Sequence, residues 1–203
     1  MLPYSRLLGL AIALLSAASL ACAADLPTAL CTIARQAPAI DGVLDDDAWQ
    51  DAPANRVETD HEGKRPAEPP MQFRLCTDGA WLYLGAELTD PDTKTYDLKD
   101  RGHDACDFSH ETLEVFLAPH ADAPLYFQFA LEPGGADHDN QSGGNVKDHN
   151  FSWRHAQAVG PEGWVAEIAL PLAELGRKAP LQAGDMMALN VCRETRGAVP
   201  LHA

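Results

Sequence analysis

The segment Trp81-Leu82-Tyr83-Leu84-Gly85-Ala86-Glu87-Leu88 alternates strictly. Leu82, Leu84, Ala86 and Leu88 fall on one face, and Trp81, Tyr83, Gly85 and Glu87 fall on the other. A period of two is the mark of a β-strand with one buried face. The pattern recurs outward along the chain. Leu113, Val115 and Leu117 oppose Thr112, Glu114 and Phe116; Leu125, Phe127, Phe129 and Leu131 oppose Tyr126, Gln128, Ala130 and Glu132; Trp164, Ala166, Ile168 and Leu170 oppose Val165, Glu167 and Ala169. Weaker strands are expected at residues 32–35, 72–77 and 186–193. So many half-buried strands predict an all-β chain, an antiparallel β-sandwich of two sheets in the jelly-roll or immunoglobulin-like manner. Helix is confined to a turn in residues 45–50 and another in residues 172–175.

Upstream, Ile40-Asp41-Gly42-Val43-Leu44-Asp45-Asp46-Asp47-Ala48-Trp49 breaks an apolar run at an Asp-Gly turn pair and ends on an anchoring Trp. Trp49 reads as a core plug at the edge of the sandwich, and Trp164 shares the parity of Ile168 and Leu170. Trp81 and Trp153 are open between core and surface. Pro66-Ala67-Glu68-Pro69-Pro70 reads as a stiff loop, and residues 134–144, rich in Gly, Asp and Asn, as a long polar loop. No stretch has the composition of a linker, so residues 24–203 read as one domain.

Residues 1–23 read as a secretory signal peptide, with Arg6 before the apolar run 7–20 and Ala21-Cys22-Ala23 as the cleavage site. The apolar run is short for a bilayer span. The expected location is therefore secreted or periplasmic. Cys31, Cys76, Cys106 and Cys192 follow the leader. An even number of cysteines in an exported chain predicts disulfides, with Cys31–Cys76 and Cys106–Cys192 the preferred pairing. The formal net charge of −15 repels phosphate backbones and anionic lipid surfaces, which argues against nucleic acid and membranes as partners. Neutral glycans are indifferent to that charge.

Sugars are held by aromatic faces that stack on C–H surfaces and by planar polar groups that bond hydroxyls. Strand parity supplies such a set. Glu114 and Gln128 both point away from the apolar face, Phe108, Ser109, His110 and Glu111 lie just upstream, and Arg193 and Glu194 end the last strand.

The segments at 40–49, 81–88, 111–117 and 163–171, in that order and spacing, resemble the family 9 carbohydrate-binding modules, over residues 33–193. The resemblance implies a non-catalytic sugar-binding sandwich, often attached to glycoside hydrolases of polysaccharide catabolism. It implies that Glu114 bonds the sugar, that the aromatic platform falls on Phe108, and that further ligand positions fall on Gln128 and Cys192. Phe replaces the family's Trp at the platform, Gln replaces an Arg, and Cys replaces a polar ligand. The family pattern also continues to a second Trp and a closing Phe-Gly strand, beyond Pro200-Leu201-His202-Ala203. His110, Glu111 and Arg193 are secondary sugar candidates. An accessory or interaction module that has lost its sugar is the alternative reading.

Rival chemistries are less well supplied. A glycosidase needs two carboxylates facing each other about 5–9 Å apart, and Glu111 and Glu114, three apart on a strand, face opposite sides. His103, Cys106 and His110 match no standard zinc spacing. Asp90, Asp92 and Asp97, with Asp100 and Asp104, crowd one loop and offer oxygen ligands for structural calcium, which the family resemblance also implies. A haem-binding redox module of related fold would need axial ligands from Met186, Met187 or a His, and no Cys-x-x-Cys-His is present. No Gly-x-Ser-x-Gly nucleophile motif is present either.

Overall fold

The computed structural model describes residues 27–60, 62–120, 125–142 and 149–195. The leader-like segment 1–23 and the C-terminal residues 196–203 lie outside the described residues. The elements are β1 (Cys31–Ile33), α1 (Asp47–Asp51), β2 (Asn55–Thr59), β3 (Pro66–Thr77), β4 (Trp81–Thr89), a 3-10 turn (Thr93–Thr95), β5 (Thr112–Ala118), β6 (Phe127–Leu131), β7 (Asp137–Gln141), β8 (Arg154–Gly160), β9 (Gly163–Pro171) and β10 (Ala188–Glu194). They build two sheets. One runs β1-β3-β4-β9-β8 with β2 also on β3; the other runs β10-β5-β6-β7. All described pairings between these strands are antiparallel except β1 on β3.

The alternation seen in the sequence dictates the core. Register places Leu84 between Leu75 and Ile168, and Val115 between Phe129 and Val191. The two inner faces meet in one apolar cluster that contains Leu82, Leu84, Leu88, Leu113, Val115, Leu117, Phe129, Ile168 and Leu170. At about 25 cal/mol per Å² of apolar area removed from water, such a cluster is the main stabilising term.

A second cluster lies on the other face of the larger sheet, where Trp49 packs with Ala48, Cys76, Tyr83 and Ala169. Glu167 explains the 40–49 segment. Its carboxylate is fully buried on the outer face of β9. It accepts from the Asp41 amide at 2.8 Å, the Gly42 amide at 2.6 Å and Trp49 Nε1 at 2.8 Å. The turn after Ile40 is thus stapled to the sheet by one side chain. Gly42, at φ 91°, supplies the left-handed conformation the turn needs.

Some elements differ from the sequence expectation. Residues 66–70 are the start of β3 rather than a loop: β2 pairs with Pro66 and, past an irregularity, with Met71, Gln72 and Phe73, at the sheet edge where Pro is tolerated. β7 lies inside the stretch expected to be a long loop. β8 was not signalled, since its residues are half-buried or exposed on both faces. Residues 172–175 form a turn, not a helix. The expected disulfides are absent: Cys31, Cys76, Cys106 and Cys192 are free thiols. Cys31 registers with Leu75 and Cys76 with Thr32, so the two thiols project from opposite faces of the sheet. Cys106 points its sulfur at the carbonyls of Ala130 and Ala136, while Cys192 lies across β5, opposite Glu114. Burial pushes the Cys76 thiol up to about 12 and that of Cys192 to about 11, which keeps both protonated and unreactive.

Candidate functional site

The outer face of the four-stranded sheet carries the residues that strand parity singled out. Register lines up Cys192, Glu114, Ala130 and His138 in one row across β10, β5, β6 and β7. The next row is Asn190, Phe116, Gln128 and Asn140. Strands lie about 4.8 Å apart, so Glu114 and His138 are separated by about 10 Å, room for one or two sugar rings.

Glu114 and Gln128 meet. Gln128 Nε2 donates to Glu114 Oε2 at 2.6 Å. A carboxylate has about four acceptor positions and an amide two N–H groups, so the pair retains capacity for ligand hydroxyls. Glu114 is 8% exposed and forms the floor of the patch rather than its rim. Burial raises its pKa, the Gln128 hydrogen bond opposes this, and the charge of Glu194 adds to the rise.

Phe108 is exposed and meets His138 edge-on, with ring centroids 5.5 Å apart. His138 shares the Glu114 row, so Phe108 stands at the β7 end of the same face. Across the face, Phe116 and Tyr126 make a T-shaped pair with centroids 6.1 Å apart. Polar groups that match hydroxyls therefore lie between two aromatic ends. His138, Asn140 and Asn190 were missed because β7 was read as loop and β10 was weak. Phe116 and Tyr126 carried a signal, for they share the parity of Glu114 and Gln128.

The other candidates lie elsewhere. Glu111 is buried and takes hydrogen bonds on Oε1 from Trp164 Nε1 at 2.9 Å and Arg193 Nε at 2.6 Å. Arg193 also donates to the Thr89 carbonyl at 2.9 Å and sits 3.6 Å from Asp90. Register puts Arg193 opposite Leu113, on the inner face. Glu111 and Arg193 are therefore an internal pair closing one end of the sandwich, not part of the outer patch. Burial raises the Glu111 pKa, with Arg193 and Trp164 opposing. His110 pairs with Asp107 at 3.1 Å and lines a small cavity with Tyr96, Glu111 and Glu132.

The aspartates expected to hold calcium do not converge. Asp90 accepts from the Tyr96 hydroxyl at 2.9 Å, Asp97 pairs with Arg101 at 2.8 Å, and Asp92 is exposed. Among the described residues no group of three or more His, Cys, Asp and Glu is placed to hold a metal ion. Trp49 and Trp164 are core, as read. Trp153 is core as well, and Trp81 lies under Arg154, whose guanidinium carbon is 4.7 Å from the ring centroid.

Comparison with known proteins agrees with this architecture. A family 9 module from Caldicellulosiruptor kristjanssonii in complex with cellotriose is similar at TM-score 0.54 and 17% identity, over 80% of this chain and 74% of that one. The same organism's module with glucose gives 0.55 and 18%, over 80% and 75%. A Bacteroides uniformis protein designated as carbohydrate-binding gives 0.62 and 12%, over 83% of each chain. No curated protein matches. Likeness at such identities speaks for the fold alone. The model of the carbohydrate family 9 binding domain-like family matches residues 40–198, from the stapled turn past the last strand. The chain belongs to that family, whose members are non-catalytic carbohydrate-binding modules.

Proposed function

We propose that the outer face of the β10-β5-β6-β7 sheet binds a neutral oligosaccharide without cleaving it. Phe108 stacks on the C–H face of a sugar ring, Glu114 accepts from its hydroxyls, and Gln128 donates and accepts beside it. His138 and Asn140 extend the polar strip, and Phe116 with Tyr126 offers a second apolar wall. The observation that carries this reading is the Glu114–Gln128 pair on the outer face, with aromatic rings at both ends of the patch. The structural neighbours in complex with cellotriose and glucose support it as relatives in fold. The leader-like residues 1–23 favour an exported protein that works beside glycoside hydrolases.

One sugar ring buries few atoms, so the expected affinity is about micromolar or weaker. Calorimetric titration with cellotriose tests the assignment. Glu114→Ala should remove detectable binding. Because Glu114 is buried and bonded, the substitution should also cost about 1–2 kcal/mol of stability. A folded Glu114→Ala protein with wild-type affinity would refute the site.

A further inference from the structure

The segment between the 3-10 turn and β5 wraps the edge strand β7. His103 forms a parallel bridge with Asp137. The Ala105 amide donates to the Asp137 carbonyl at 3.3 Å, and the Asp137 amide donates to the Gly102 carbonyl at 3.4 Å. Side chains of this segment then grip β7 from both faces. On the inner face, His103 Nδ1 lies 3.0 Å from Asp137 Oδ2, and His155 of β8 approaches the same oxygen at 3.6 Å. On the outer face, Asp104 Oδ1 lies 3.4 Å from His138 Nδ1, close enough for an ion pair but not aligned as a hydrogen bond. His138 in turn carries the edge of Phe108. Asp104 has φ 57°, the single positive value among the described non-glycine residues. Strain of that kind persists where the surroundings over-determine it.

We propose that His103 and Asp104 are positioning residues for the sugar-stacking ring: they clamp the segment that carries Phe108 around β7, and ligand affinity depends on that clamp. The proposal rests on the sugar-binding reading above. The groups that face His103 are Asp137 and Asp139 from β7 and Asp104 from its own segment, the last two at 3.8 Å from Nε2. His155 joins from β8 through Asp137, and Trp153 Nε1 holds Asp139 Oδ2 at 3.0 Å. Nearby, Arg101 is committed to Glu132 and Asp97.

Two readouts on the full chain test this: the amide-exchange protection of Ala105 and Asp137 without ligand, and the calorimetric affinity for cellotriose, both at one fixed pH. His103→Ala removes the contact to Asp137 and should lower both, whereas His103→Gln, which can still hydrogen-bond Asp137, should restore part of each. Asp104→Asn, which tolerates the left-handed backbone, should weaken binding while leaving the fold intact. Wild-type protection, or wild-type cellotriose affinity, in a folded His103→Ala protein overturns the clamp. Protection that is lost in His103→Ala while even the wild type binds no cellotriose upholds the clamp and defeats the sugar reading instead.

Discussion

Gly85 leaves a gap on the outer face of β4 that is filled not by solvent but by the stapled segment. A Cβ placed there would lie 2.6 Å from Leu44 Cδ2 and 3.3 Å from the Trp49 ring. Gly85→Ala should therefore destabilise the protein by about 1–3 kcal/mol through overpacking, measured by urea unfolding. A variant as stable as wild type would show that the Trp49 layer is looser than described. In the sequence Gly85 is simply the small member of a face shared with Trp81, Tyr83 and Glu87. What fills the gap comes from residues 44 and 49, far along the chain. Glu114 shows the same limit. Parity placed it on the outer face, but its 8% exposure depends on neighbours that parity does not name. Glu111 and Arg193 looked like polar groups near a site, and the structure instead joins them across two strands as an internal pair. Their side chains turn inward because register sets Arg193 opposite Leu113.

Among the elements, the segment from Ile40 to α1 is held by one carboxylate. Glu167 satisfies two backbone amides and the Trp49 indole. Burial pushes its pKa up while those three donors oppose the rise. Glu167→Ala would leave the donors buried without an acceptor, at a cost on the order of 3–5 kcal/mol. Thermal unfolding of that variant should drop well below wild type, and exchange of the Asp41 and Gly42 amides should lose protection. Retained protection at those amides would contradict the staple. This link was illegible in the sequence, because Glu167 lies 126 residues from Asp41 and its strand reads as ordinary alternation. Strands with one apolar face were legible: β4, β5, β6 and β9 lie where the period of two put them. β7 was not, since Asp137-His138-Asp139-Asn140-Gln141 is polar on both faces. Its inner aspartates are tolerated because His103, His155 and Trp153 meet them at the open edge of the sandwich.

For the whole molecule, the two-sheet sandwich was readable from four short alternating segments, and the family resemblance from the turn segment 40–49 together with three of them. The predicted covalent framework was not realised, because the register of β1 on β3 sends Cys31 and Cys76 to opposite faces, and β5 stands between Cys106 and Cys192. Stability therefore rests on the shared core and the Trp49 layer rather than on cross-links. The strongly acidic surface leaves the sheet face suited to a neutral ligand, held by hydroxyl bonding and stacking. We propose that residues from β5, β6, β7 and the segment before β5 grip one sugar together. Mapping of backbone and side-chain NMR shifts during titration with cellotriose tests it most directly. Saturable shifts are expected, confined to Phe108, Glu114, Phe116, Gln128, His138 and Asn140. Saturable shifts on the β3-β4-β9 sheet instead, or no saturable shift at millimolar sugar, would contradict it.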